Sequence, residues 1–285
     1  VTEPTPTSAI QLMPDQPHAT CRRCQSAFPL STVKSTFTGN PLPVTRTFCD
    51  ACEASMRMEE ARQQEAAQRE AASRRIQRAL ADLAAPAAYA GLALQDVGFW
   101  GSPAQQERTG RALQVARRIV GELQSGLRPP PFVAFIGRPG NGKTMLCWAI
   151  ATELATKGGH SCRVVRLSAL IRDLRANWGS TKKSGPSDEQ RLKRYIELDY
   201  LAIDEVSRDA FYGTLRQHLL DVINARIDER RPTVITSNES LEDLEALLGP
   251  ALMSRLSLGG VVHFGDDEDF RQLSSDDRQG PAACA

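Results

Sequence analysis

From residue 132 onward the chain alternates short apolar runs with longer stretches whose apolar residues fall three or four positions apart. Phe132–Ile136 is a continuous apolar run, as in a strand buried on both faces. Met145, Leu146, Ala149, Ile150 and Leu154 then recur at helical spacing until Gly158-Gly159 stops them. Arg163–Leu167, Tyr200–Asp204, Thr233–Thr236 and Val261–Phe264 predict further strands. Between them, Ser168 predicts the cap of a helix reaching about Asn177, and a second helix runs through Arg191 and Tyr195. Leu215, Leu219, Val222 and Ile223 mark a long helix, and Ser240 starts another. Gly179–Ser187 is a polar, basic loop. Strands alternating with helices predict an α/β fold with a mostly parallel five-stranded sheet covered on both faces. No internal repeat is visible.

Upstream the pattern changes. Residues 55–85 are dense in Ala, Glu, Gln and Arg, all good helix formers, with apolar positions only late, at Ile76, Leu80 and Leu83. Glu65 precedes Arg69 and Glu70 precedes Arg74 in the favourable i,i+4 order. This predicts a solvated helical linker whose end docks on the next domain. Arg74, Arg75 and Arg78 belong either to that solvated face or to a nucleic-acid-binding one. Pro86 ends the linker. Ser102-Pro103 then opens a helix with Leu113, Ala116, Val120 and Leu123 along one side, stopped by Gly126 and Pro129–Pro131. The expected layout is a disordered lead-in over 1–18, a cysteine-bearing unit over 19–54, the linker over 55–85, the α/β domain over 86–273 and a flexible tail over 274–285.

Charge and composition narrow the functions. A formal net charge of +1 over 285 residues creates no global field, so any nucleic-acid contact must be local. No apolar stretch approaches the roughly 20 residues of a membrane helix. The N-terminal segment has neither the basic nor the apolar region of a secretory signal. A cytoplasmic location is the expectation. In that setting the seven cysteines read as ligands or core residues rather than disulfides. Cys21-x-x-Cys24 and Cys49-x-x-Cys52 flank 24 residues rich in Ser, Thr, Gly and Pro, as in a zinc ribbon whose four thiolates surround one Zn²⁺. The alternative is a metal-free redox pair, which needs only one such turn. His18 is either a spare ligand or a tail residue. Cys147 and Cys162 fall in apolar runs as core residues, and Cys284 lies in the polar tail.

The strand Phe132–Ile136 stops at Gly137, and Gly137-x-x-x-x-Gly142-Lys143-Thr144 has the spacing of the phosphate-binding loop of nucleoside triphosphatases. It lies between a strand and a helix, the context that motif needs. Glycines let backbone N–H groups close around phosphate oxygens at a helix N-terminus. Gly137, Gly140, Asn141, Gly142, Lys143, Thr144 and Met145 are the expected nucleotide contacts, with Lys143 on the phosphates and Thr144 on Mg²⁺. The run Tyr200–Glu205 ends in two acids at the C-terminal edge of a buried strand, where parallel sheets bind ligands. Asp204 suits Mg²⁺, and Glu205 can polarise the water that attacks the γ phosphate. Asn238, at the end of the Thr233–Thr236 strand, either orients that water or caps a turn. Arg255 reads as an arginine for a neighbouring subunit's nucleotide or as a surface ion pair.

From Pro86 to about Arg271 the chain resembles bacterial helicase loaders of the DnaC/DnaI type, within the AAA+ ATPases. Gly137–Thr144 corresponds to Walker A, Leu201–Glu205 to Walker B, Thr233–Asn238 to sensor 1 and Ser254-Arg255-Leu256 to the arginine-finger segment. The closing VVHFGDDEDFR resembles the family's last strand and its aromatic-Arg ending. The resemblance implies an AAA+ P-loop ATPase without a helical lid, using ATP and Mg²⁺. It also implies an N-terminal zinc adaptor that grips the hexameric replicative helicase, spiral self-assembly, and delivery of the helicase onto single-stranded DNA. Trp178 beside Lys182-Lys183, and Arg208 with Phe211 and Tyr212, pair aromatic with basic groups where the family contacts DNA. Transposition-helper ATPases (IstB-like) share this core and give the alternative function. A zinc module with a vestigial ATPase is opposed by intact Lys143, Asp204, Glu205 and Asn238.

Overall fold

Two short antiparallel ladders open the described residues. In the computed structural model, which describes residues 18–30, 32–34, 41–43, 46–98, 102–175, 187–207, 214–256 and 259–265, β1 (His18–Thr20) pairs with β2 (Ala27–Pro29). β3 (Thr32–Lys34) pairs with β4 (Pro41–Pro43). The β1–β2 turn carries the first cysteine pair and closes through Cys21 N–H to the Ser26 carbonyl at 2.9 Å, with Gln25 at φ 61°. Phe28 is buried beneath the Arg46 guanidinium, which pairs with Asp50 and Glu53. The helix α1 (Asp50–Leu83) starts within the cysteine-bearing stretch, because the Cys49 carbonyl accepts its first-turn bond from Glu53 N–H. The chain divides into two units, Val1–Ala71 and Ala72–Ala285.

In the second unit, a 3₁₀ turn at Ala87–Tyr89 and another at Leu94–Asp96 lead to α2 (Pro103–Gln124), capped by the Ser102 hydroxyl. There follow β5 (Phe132–Ile136), α3 (Lys143–Gly158), β6 (Cys162–Arg166), α4 (Leu167–Arg175), α5 (Asp188–Ile196) and β7 (Tyr200–Asp204). The described chain ends with α6 (Thr214–Asp228), β8 (Thr233–Ser237), α7 (Leu241–Leu248), α8 (Pro250–Leu256) and β9 (Val261–His263). The five strands from β5 onward form one parallel sheet, ordered β6-β7-β8-β5-β9. Ser168 does not cap its helix: α4 begins at Leu167, directly off β6, so Ser168 lies in its first turn. The fully buried Leu167 and Leu170 face the core there, and that burial sets the helix start.

Strand alternation divides the core. Val133 and Phe135 pack with α2 and α3, whereas Phe132, Ala134 and Ile136 pack with α4 to α8. On that second side Arg226, fully buried on α6, donates to the carbonyls of Tyr195, Ile196, Leu198 and Pro232 and to the Thr233 hydroxyl. Asp173 on α4 accepts from Arg191 and from the Tyr195 hydroxyl on α5, both at 2.9 Å. The expected absence of a lid concerns residues beyond Gly265, which lie outside the described residues, as do the lead-in through residue 17 and the tail. No described helix is long and apolar enough to cross a membrane.

Candidate functional site

β5 delivers the glycine loop to the C-terminal edge of the sheet, between its neighbours β8 and β9. A Cβ on Gly137 would lie 3.0 Å from the Gly265 carbonyl oxygen and 3.1 Å from Phe264 Cβ, and φ is 144° there; only glycine lets β5 and the end of β9 run this close. Gly142, at φ 83°, turns the chain into α3, so the helix N-terminus faces the loop. Asn141 is buried and ties the loop to β9 through Nδ2 to the Gly265 carbonyl at 2.8 Å. Its Oδ1 is buried without a hydrogen bond among the described residues. The Lys143 ammonium is folded into the loop, donating to the carbonyls of Gly137 at 2.6 Å and Arg138 at 2.7 Å.

The acids meet this loop from β7. Asp204 is 3% exposed, and its Oδ1 accepts from the Thr144 hydroxyl at 2.8 Å and the Thr236 hydroxyl at 2.6 Å. Glu205 leaves the strand at φ 59°, its side chain exposed and 3.5 Å from Arg166 Nε. Its backbone N–H donates to Thr236 Oγ1 at 3.0 Å. Gly140–Met145, Asp204, Glu205, Thr236 and Asn238 line one cleft of about 430 Å³, with Tyr89 and Arg166 at its wall. Tyr89 is stacked on Trp148 with centroids 5.7 Å apart and so gives the cleft an aromatic side. The chemistry available is phosphate recognition by backbone N–H groups, a lysine and hard oxygen ligands for a divalent cation.

Arg255 lies elsewhere. On α8, its Nη1 donates to Asn224 Oδ1 at 2.9 Å and approaches Asp228 Oδ1 at 3.3 Å, both on α6. Within one chain it makes a surface ion pair. Trp178, Lys182, Lys183, Arg208, Phe211 and Tyr212 lie outside the described residues. Sequence reasoning missed Thr236, Arg166 and Tyr89. For Thr236 the available signal was a hydroxyl inside a fully buried strand, which must find a partner.

The second cluster joins Cys21, Cys24, Cys49 and Cys52, whose sulfurs all lie within 4.8 Å of one another. The Cys24 and Cys49 sulfurs are 3.6 Å apart, too far for a disulfide of about 2.05 Å. That spacing suits a tetrahedral ion, whose sulfur ligands at about 2.3 Å stand about 3.8 Å from one another. The Cys24 backbone N–H takes the Cys21 thiol down to about 6, whereas burial and the neighbouring thiols push Cys52 up to about 12. Thiolates packed this closely repel one another, and a divalent cation among them would offset that repulsion. His18, on β1, is not part of the cluster.

Comparison with known proteins gives consistent kinships. The chain is similar to the replicative helicase loader DnaC of Escherichia coli K12, 29% identical over 151 residues, covering 53% of this chain and 59% of that protein. It is similar to the uncharacterized protein YdaV of the same organism, 30% identical over 156 residues, covering 55% and 60%. The aligned region therefore spans about three fifths of these curated relatives. Among solved structures, DnaI matches with a TM-score of 0.52 at 23% identity, covering 66% of this chain and 95% of that one. The DnaC helicase loader matches at 0.50 and 22%, covering 62% and 99%. AMPPCP-bound DnaA of Aquifex aeolicus matches at 0.51 and 19%, covering 65% and 53%. These likenesses concern the fold alone, the parallel α/β sheet and its covering helices. The family model described as IstB-like ATP binding protein matches residues 53–271. With the glycine loop and both acids inside that span, the chain belongs to the family of IstB-like ATP-binding proteins.

Proposed function

We propose that this protein is an ATPase that loads the hexameric replicative helicase onto single-stranded DNA at the start of replication. The observation that carries the reading is the meeting of Lys143, Thr144, Asp204, Glu205 and Asn238 in one cleft, in a chain similar to DnaC. Gly137–Thr144 would take the phosphates of ATP, and Met145 and Tyr89 line the rest of the same cleft. Lys143 sets a cation against the phosphates. Thr144 and Asp204 hold Mg²⁺, an ion suited to their hydroxyl and carboxylate oxygens, which neutralises phosphate charge when bound. Glu205 accepts the proton of the attacking water, and Asn238 orients that water. Arg255 acts on the nucleotide of the next subunit in a spiral assembly. Cys21, Cys24, Cys49 and Cys52 would hold Zn²⁺ and so fix the shape of an adaptor for the helicase. Trp178, Arg208, Phe211 and Tyr212 contact single-stranded DNA, in the cytoplasm.

The family match supports a second reading, in which the same ATPase delivers a transposase to target DNA. One experiment separates them. The full chain is used as bait, with ATP and Mg²⁺, against the replicative helicase and against a transposase from the same genome, while phosphate release is followed with single-stranded DNA. Helicase retention with DNA-stimulated hydrolysis is the expected result. Transposase retention alone selects the second reading, and no hydrolysis with either partner rejects the ATPase.

A further inference from the structure

Thr236 sits on β8, 2% exposed, in a strand whose five residues are all buried. A hydroxyl there must be paired, and this one is committed at both ends. Its hydrogen goes to Asp204 Oδ1 at 2.6 Å, and its oxygen accepts the Glu205 N–H at 3.0 Å. One side chain on β8 therefore holds the carboxylate of one acid and the backbone of the next. The second bond falls where the chain is least comfortable. Glu205 is in the left-handed region at φ 59°, which costs a non-glycine residue and persists only where surroundings impose it. Val206 N–H, bonded to the Thr236 carbonyl at 2.8 Å, continues the same clamp one residue further.

We infer that the Thr236 hydroxyl is the positioning group of the site: it fixes the Asp204 carboxylate beside Thr144 and holds the turn that brings Glu205 into the cleft. The inference rests on the proposed hydrolysis for its rate effect and on geometry alone for its effect on Asp204. If Thr236 only filled space, valine, its near-isostere, would serve equally well in a β strand.

The test uses the full chain and Thr236→Val, Thr236→Ser and Thr236→Ala. ATP affinity is measured by a fluorescent analogue without Mg²⁺ and across a Mg²⁺ titration, and kcat and KM are measured separately. The affinity without Mg²⁺ gives each variant its own reference, against which the tightening by Mg²⁺ is read. In Val and Ala the Mg²⁺ needed for half-maximal tightening should rise about tenfold, as for other groups that orient a metal ligand. Their kcat should fall about 10²-fold with little change in KM, the scale of a small misplacement of a reacting group. Ser should restore both. Val behaving as wild type overturns the inference. Should Val fail to fold, the Ser and Ala pair decides, since the two differ only in the hydroxyl; equal behaviour overturns it. A wild type that hydrolyses no ATP, or a Glu205→Gln variant as fast as wild type, counts against the proposed catalysis instead, and the Mg²⁺ titration still reads Thr236.

Discussion

Arg226 takes a guanidinium fully into the core, where all its hydrogen-bond partners among the described residues are neutral oxygens. Burial lowers it to about 9, so it remains a cation at neutral pH. What makes this tolerable is its partners: the carbonyls of Tyr195, Ile196 and Leu198 lie at and just beyond the negative end of α5, Pro232 immediately precedes β8, and Thr233 starts it. The residue staples a helix end to the strand that carries Thr236. Lysine keeps the charge but presents a point donor where a planar fork is needed. Arg226→Lys should therefore destabilise the fold by about 2 kcal/mol through carbonyls left unpaired. A denaturant midpoint lowered at unchanged slope is the expected result; an unchanged midpoint would mean those carbonyls find other partners.

At the scale of elements, apolar runs located β5 and β7 to the residue, because strands buried on both faces leave an unbroken signal. β6 lies one residue earlier than its apolar run suggests: Leu167 looks like a strand residue but buries its side chain as the first residue of α4. In the site, the glycine loop and the acid pair were legible as local spacings. The bond between Thr144 and Asp204, 60 positions apart, was implied only by the motif pair. Thr236 is legible as a hydroxyl that needs a partner but not as a clamp, since the two groups it joins lie 32 and 31 positions away in the chain. Nor did spacing reveal that the second cysteine pair begins a helix. Because Cys49 accepts the first-turn bond of α1 and Cys52 lies within that turn, metal and helix should depend on each other. Freshly purified protein should contain about one Zn²⁺ per chain. Cys49→Ser should lose the metal and the amide-exchange protection of residues 50–60, while ATP affinity and the protection of α3 stay as in wild type. Retained zinc in that variant would remove Cys49 from the ligand set.

For the whole molecule, the question is whether one copy suffices. Arg255 spends its hydrogen bonds on Asn224 and Asp228 of its own chain and does not line its own cleft. If it serves a neighbour, Arg255→Ala should bind ATP normally yet fail in DNA-stimulated hydrolysis, by as much as roughly 10³-fold. Mixing it with Lys143→Ala should recover activity, since one variant supplies a working cleft and the other an intact arginine. A mixture as inactive as either alone, on DNA where wild type assembles, would return Arg255 to a purely structural ion pair. Glu205 has a different consequence. Its left-handed backbone costs about 1 kcal/mol for an ordinary side chain, a burden asparagine or glycine escapes. Breeding this protein for heat resistance, blind to turnover, should therefore drift toward asparagine at position 205. If Glu205 is the proposed base, Glu205→Asn should melt above wild type and lose hydrolysis, so the hardiest descendants of the chain would be the ones that no longer work.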